Sequence, residues 1–307
     1  MAQVQEWQVK QPWLSNDCAL GEGPFYEQET DSLRFVDIKK KQLLYVKGIS
    51  ADSAREKAPE PEVLQFDACP TVTADIEGVD PRERILLGTK YGLAVLDRKT
   101  GKQEPIASFD EPANERLRAN DGAADPLGGF LLGTMTDFGQ GEFQPEGSLF
   151  HFSKGTKTQI LNKLTIPNGI GWSPDRKTMY FTHSPTREVF AFTYDPSTGA
   201  MSDKRIFYKH EGNAEPDGLR VDVKGNVWQA FYGEAMVLRI SPEGKVTGRV
   251  SVPTRNVTCV QFVGEELFIT TGKDEVGSDV SESVKMGGAV FRVHVGVKGV
   301  DLFKYRM

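Results

Sequence analysis

Short apolar runs, each closed by a turn, follow one another along nearly the whole chain. Residues 33–37 are followed by 43–46, 85–89 by 93–96, 130–135 by 148–152, 179–183 by 189–192, 227–232 by 236–240, and 267–271 by 289–293. The runs are rich in Val, Ile, Leu and aromatic residues, and no long helical periodicity appears. Asp97-Arg-Lys-Thr-Gly, Asp125-Pro-Leu-Gly-Gly, Ser173-Pro-Asp, Asp195-Pro-Ser-Thr-Gly and Ser241-Pro-Glu-Gly punctuate them. Short strands between such turns predict antiparallel sheet.

The pairs of runs belong to a larger repeat. Its copies start near Glu22, Thr71, Asn120, Asn168, Asp217 and Thr258, and together they nearly fill the 307 residues. A repeat of roughly 40–50 residues with several strands per copy is the pattern of a propeller. The expectation is an all-β fold, a six-bladed β-propeller with four antiparallel strands per blade, spanning 1–307 as one domain. A ring of sheets leaves two unpaired edges unless its ends are joined. Glu6-Trp-Gln-Val-Lys alternates like a strand, which predicts that an N-terminal strand closes the last blade, beside strands from the C-terminal segment 300–305. The polar stretch 49–62 reads as a long surface loop of the first blade.

Net charge is −6 and no Lys/Arg-rich stripe stands out, so neither nucleic acid nor an anionic membrane is an expected partner. The first residues lack the apolar core of a secretory signal, and no apolar run reaches membrane-spanning length. Cys18, Cys69 and Cys259 are odd in number and far apart, which predicts buried thiols and a reducing, cytoplasmic setting. Asn256-Val-Thr is discounted as a glycosylation site on the same ground. Nothing in the chain sets an oligomeric state.

Within the repeat, an oxygen-bearing residue returns at one phase. Glu22 stands in Leu-Gly-Glu-Gly-Pro, Asn120 in Arg-Ala-Asn-Asp-Gly, Asn168 in Ile-Pro-Asn-Gly and Asp217 in Glu-Pro-Asp-Gly, with gaps of 98, 48 and 49 residues. Any one of these is an ordinary turn sequence. Four in phase predict one ring of ligands around the axis. Two carboxylates and two amides, with no Cys or His at the aligned positions, favour a hard divalent cation such as Ca²⁺, Mg²⁺ or Mn²⁺. The glycines that follow permit a close approach of backbone.

Gly21-Glu-Gly-Pro, Leu33-Arg-Phe-Val-Asp-Ile, Arg118-Ala-Asn-Asp-Gly, Gly133-Thr-Met, Pro167-Asn-Gly-Ile-Gly-Trp, Pro216-Asp-Gly-Leu and Gly287-Gly-Ala-Val-Phe stand in an order and spacing that resemble the regucalcin, gluconolactonase and luciferin-regenerating-enzyme family of six-bladed propellers. The resemblance covers about residues 15–300. It implies a catalytic divalent metal, calcium first with Mg, Mn or Zn as alternatives, on Glu22, Asn168 and Asp217. It implies substrate contacts from Arg118 and Asn120, with Asn120 also near the metal, and a general-base or nucleophile role for Asp217. The implied activity is hydrolysis of cyclic esters of sugar acids, with organophosphate cleavage among cousins and no organic cofactor.

Two departures matter. Members of the family place an acid shortly after Gly-Thr-Met to bond sugar hydroxyls. Here Thr136-Asp137-Phe138 offers either Asp137 or an aromatic in its place, and an aromatic favours a less hydroxylated substrate. His183 stands where many relatives carry Asp, as a candidate for the substrate site or a proton relay, against the plainer reading of a hydrogen-bonded core histidine. His151, His210 and His294 are assigned no chemistry. Ser184-Pro and Ser173-Pro lack the Gly-x-Ser-x-Gly elbow of serine hydrolases. The expected function is a metal-dependent lactonase acting on a small-molecule substrate. The alternatives are a phosphotriester hydrolase on the same site and a calcium-binding or scaffold propeller without turnover.

Overall fold

The structure, a computed structural model, describes residues 4–54, 57–110, 113–276 and 281–307. Six sheets succeed one another along the chain, and the chain is a six-bladed β-propeller. The first four blades have four strands each, in sequence order, and their innermost strands are Gly21–Glu27, Pro70–Ala74, Leu117–Ala124 and Pro167–Trp172. Glu215–Val221 and Val257–Val263 are the innermost strands of blades five and six.

The apolar runs are continuous rather than alternating because both faces of each blade are covered. Buried apolar residues fall into six clusters, one at each seam between neighbouring blades. Leu33, Phe35 and Leu44 pack toward Phe268 and Val290 of blade six, whereas Val36, Leu43 and Tyr45 pack toward Ile85, Leu87 and Leu96 of blade two. Side chains alternate across a strand. A strand between two seams therefore needs an apolar residue at nearly every position.

Ring closure departs from expectation. Gln5–Gln8 does not enter the last blade: it pairs in parallel with Val246–Ser251 as a fifth strand of blade five. Trp7 decides this. Its ring stacks 5.3 Å from that of Trp228, over Gly248, where a Cβ would lie 2.7 Å from the indole. Blade six has three strands among the described residues, and the chain reaches its open edge only further on. There the amides of Trp13 and Leu14 donate to the Val290 carbonyl, and the Val290 amide donates to that of Leu14. The N-terminal segment therefore does close the ring, through residues 13–14.

The C-terminal segment pairs with no strand of the last blade. It crosses the far end of the channel, where Val300 donates to Val221, Tyr305 to Asp75 and Arg306 to Gly128. The loop before Glu62–Gln65 is anchored rather than loose, since Trp13 donates its indole N–H to the Ala54 carbonyl at 2.5 Å. A short helix, Glu282–Met286, was not expected, and Ser281 caps it by accepting from the Val284 amide. The three cysteines are buried thiols. No helix among the described residues is long and apolar enough to cross a membrane.

Candidate functional site

Each innermost strand carries a β-bulge near its start. The register slips between Glu22 and Phe25, Pro70 and Val72, Ala119 and Gly122, Pro167 and Ile170, Pro216 and Leu219, and Val257 and Cys259. A bulge sets two residues opposite one and re-aims their side chains. In three blades the bulge holds a residue of the predicted ligand ring, Asn120, Asn168 or Asp217, and in blade one Glu22 is the paired residue at its edge. In blades two and six the bulge holds Thr71 and Thr258, and the Thr258 hydroxyl is used on the Gly21 carbonyl.

The glycines after the ligands allow the bulges to nest. Gly23 has φ +53, and a Cβ on Gly169 would lie 2.7 Å from the Asp217 carbonyl oxygen.

Glu22, Asn120, Asn168 and Asp217 all line one cavity of about 310 Å³ at this end of the channel, together with Arg118. All four are buried. Asn168 donates its Nδ2 to Ser184 Oγ at 3.1 Å, and Ser184 Oγ donates to the Pro216 carbonyl at 2.7 Å. Ser184 is thus a fastener between two ligand loops, a role its Ser-Pro context did not announce. Asn120 donates Nδ2 to the Pro167 carbonyl and accepts from Arg118 Nη1 at 2.8 Å through Oδ1.

Burial pushes the Glu22 carboxyl up to about 8, and the negative charge of Asp121 adds to the rise. Burial likewise holds Asp217 well above the usual carboxylate range, with Glu22 the next cause. Asn168 Oδ1 and Asp217 Oδ1 are buried and lack hydrogen-bond partners among the described residues. Two carboxylates that resist joint ionisation, beside an orphan amide oxygen, fit a hard dication, which would supply the charge and the bonds they lack. No group of three His, Cys, Asp or Glu fitted to hold a metal occurs among the described residues. The set is two acids and two amides, with oxygen donors throughout.

Asp121 is a third acid that sequence reading missed. It is buried, does not line the cavity, accepts from the Gly122 amide at 2.7 Å, and has its pKa raised by burial against the opposing charge of Arg220. Simple alternation would point Asp121 away from Asn120. The bulge between Ala119 and Gly122 breaks that alternation, and no local signal marks it.

Asp137 and Phe138 exchange the roles that were open to them. Asp137 does not line the cavity. Its carboxylate is taken by Lys90 Nζ at 2.9 Å and the Phe138 amide at 2.8 Å, and it stands 3.7 Å from Arg118 Nε. Asp137, expected as a substrate-binding carboxylate, thus stands outside the cavity lining, beside Lys90 and Arg118. Phe138 lines the cavity, with the Arg118 guanidinium 4.3 Å from its ring centre. Phe143 and Ile166 extend the apolar side.

His183, the other open candidate, also stands outside the cavity lining. It pairs with Pro167 across the sheet. Its Nε2 accepts from the Thr165 amide at 3.1 Å, so Nδ1 carries the proton toward Thr186 Oγ1. Burial lowers its pKa, and it is a neutral, hydrogen-bonded structural histidine.

Fold and site together define a propeller whose axis carries an acid–amide cluster beside a buried arginine. Residues 20–273 match the family described as SMP-30/Gluconolactonase/LRE-like region, and the chain belongs to this family. It is 32% identical over 305 residues to pentonolactonase XacC of Haloferax volcanii, covering 95% of this chain and 96% of that one. It is 31% identical over 310 residues to regucalcin of Bos taurus, with 95% and 96% covered. The structure of a calcium-binding protein, regucalcin, from Agrobacterium tumefaciens is 25% identical and superposes with a TM-score of 0.87 over 99% of this chain and 100% of that one.

Proposed function

We propose that this protein hydrolyses a lactone to the open hydroxy acid, with a divalent cation held by Glu22, Asn168 and Asp217 and with Asn120 beside it. The observation that carries the reading is the convergence of two buried carboxylates and two amides on the one cavity that Arg118 also lines. The name of the archaeal pentonolactonase supports the reaction class, and that of the Agrobacterium calcium-binding protein supports calcium as the first candidate. Fold alone would support neither.

A dication bound there would draw charge from an ester carbonyl and acidify a water. Asp217 accepts the proton of the attacking water as it adds to the carbonyl carbon. Arg118, pinned by Asn120 and by the Phe138 ring, supports the negative charge that develops on the carbonyl oxygen. As the ring C–O bond breaks, the proton on Asp217 passes to the departing alkoxide, and the hydroxy acid leaves. Phe138 and Phe143 pack against the substrate and exclude water from that side. No organic cofactor takes part.

The test is acid release from gluconolactone, simple aliphatic lactones, aromatic lactones and a phosphotriester, after chelation and re-addition of Ca²⁺, Mg²⁺, Mn²⁺ or Zn²⁺. Lactone opening should stop on chelation and return with a dication. Aliphatic and aromatic lactones should show higher kcat/KM than gluconolactone, because Phe138 rather than Asp137 faces the cavity. Turnover of the phosphotriester alone, or of nothing with any cation, would overturn the assignment. A clear preference for gluconolactone would refute the aromatic-wall reading.

A further inference from the structure

Glu215 also lines the cavity, two residues before Asp217 in Glu-Pro-Asp-Gly and ahead of the bulge between Pro216 and Leu219. It is half-buried, and among the described residues its carboxylate meets neither a hydrogen-bond donor nor a cation. Asp217 is assigned to the cation under the function proposed above, and the remaining acids near the cavity already have partners. Glu22 accepts from the Gly23 amide, Asp121 from the Gly122 amide, and Asp137 is held by Lys90. Tyr232 pairs directly across from Glu215 and lines the same cavity, and its hydroxyl likewise has no partner among the described residues. A half-dry carboxylate and a phenol side by side form a strong acceptor beside a donor–acceptor. Tyr232 is exposed and Glu215 half-buried, so both groups are open to water, and a ligand hydroxyl seated between them would exchange that water for a charge-assisted hydrogen bond.

We propose that Glu215, with the Tyr232 hydroxyl beside it, forms the hydroxyl-recognition edge of the site, so that the substrate is a lactone hydroxylated toward blade five and apolar toward Phe138. The naming of a lactone rests on the function proposed above; the recognition of a hydroxyl does not. The sugar-binding carboxylate expected after Gly-Thr-Met has turned away to Lys90, and Glu215 supplies one from another blade. Full hydroxylation, as in gluconolactone, would place polar groups against the aromatic side, whereas one hydroxyl directed at Glu215 would be favoured.

The experiment compares wild type with Glu215→Gln, Glu215→Leu and Tyr232→Phe on γ-butyrolactone and its α-hydroxy and β-hydroxy derivatives. The quantity read is the ratio of kcat/KM for a hydroxylated lactone to that for the unsubstituted one. Glu215→Leu should lower this ratio by roughly 10–100-fold for at least one derivative, the range of a hydrogen bond to a charged group. Glu215→Gln, which keeps an acceptor without the charge, should fall between. Calcium affinity, read by calorimetry, should be the same in wild type and Glu215→Leu. An unchanged ratio in both Glu215 variants overturns the proposal. So does a loss of calcium affinity, which would make Glu215 a cation ligand. If wild type opens no lactone, xylitol binding decides separately: a rise in Tm with xylitol in wild type that is missing in Glu215→Leu sustains the hydroxyl edge while the lactonase reading falls. Equal shifts in the two proteins overturn it.

Discussion

Asp217 has two jobs that one substitution can separate. Among the described residues its Oδ1 is buried without a partner, and both burial and Glu22 oppose its ionisation. As a ligand it supplies charge; as a base it takes a proton. Asp217→Asn keeps an oxygen but removes both charge and basicity. Turnover should fall by about 10²–10⁴-fold, the usual cost of a lost general base, and saturating cation should not restore it. Glu22→Gln is the comparison, because Glu22 is assigned to the cation alone. Its turnover should recover substantially at high cation concentration. Kinetics across a cation titration decide: equal recovery in the two variants would make Asp217 a ligand only, and normal turnover in Asp217→Asn would refute the proposed mechanism.

At the scale of the element, the bulge is the device that builds the site. All six innermost strands have one, and only four carry a candidate ligand in it or at its edge. The architecture therefore offers six places around the axis, and side-chain chemistry selects four. Packing between neighbouring bulges sets their spacing. Gly169 illustrates it: a Cβ there would lie 2.7 Å from both the Asp217 carbonyl oxygen and the Leu219 amide. Backbone atoms cannot turn aside as a side chain can. Gly169→Ala should push the inner strands of blades four and five apart, at a cost of about 1–3 kcal/mol, as for other overpacked sites. Because Asn168 and Asp217 flank the contact, calcium affinity should fall together with Tm. Calorimetry and thermal melts on one preparation check both. A variant with lowered Tm and wild-type calcium affinity would show that the contact does not set ligand spacing.

For the whole molecule, the site opposes the fold that carries it. Six apolar seams hold the ring together, while carboxylates gathered at the axis are buried against their preference for water. The pH dependence follows from the sign of the shifts. Glu22 rises from the ordinary 4.5 to about 8, so the folded state holds its proton more tightly than the unfolded chain. That contribution is complete below 4.5 and is lost as pH climbs toward 8. Asp217 is shifted the same way. His183 works in the opposite sense, because burial lowers its pKa from 6.5 and its contribution is complete above that value. Between about pH 6.5 and 8 the carboxylates therefore dominate these opposed trends. In chelator, Tm should fall across this window. The Tm gain from a fixed calcium concentration should grow across it, since the cation binds the deprotonated pair. Glu22→Gln should flatten both trends. A chelated wild type whose Tm stays level or rises from pH 6.5 to 8 would contradict the account.

The sequence by itself determined the blade number and pointed to four oxygen-bearing residues that share one cavity, because each is a periodic property. A strand between two seams must be apolar at nearly every position, so runs such as 85–89 and 93–96 declare themselves. Glu22, Asn120, Asn168 and Asp217 repeat because each sits at or beside the bulge of its blade's innermost strand. What does not repeat was left to the tertiary structure. Whether Asp137 or Phe138 faces the cavity depends on Lys90, from a different blade, which holds the carboxylate back. His183 resembles a site residue by spacing, yet its ring is used by Thr165 and Thr186. Trp7 meets Trp228 and Gly248 in blade five, and those two residues are brought side by side only when the strands of that blade pair. Glu215 and Tyr232 lie in one short motif and one apolar run, but that the two share a cavity wall follows from strand register. Register, like a contact between blades, is settled by long-range packing, and local pattern carries no record of it.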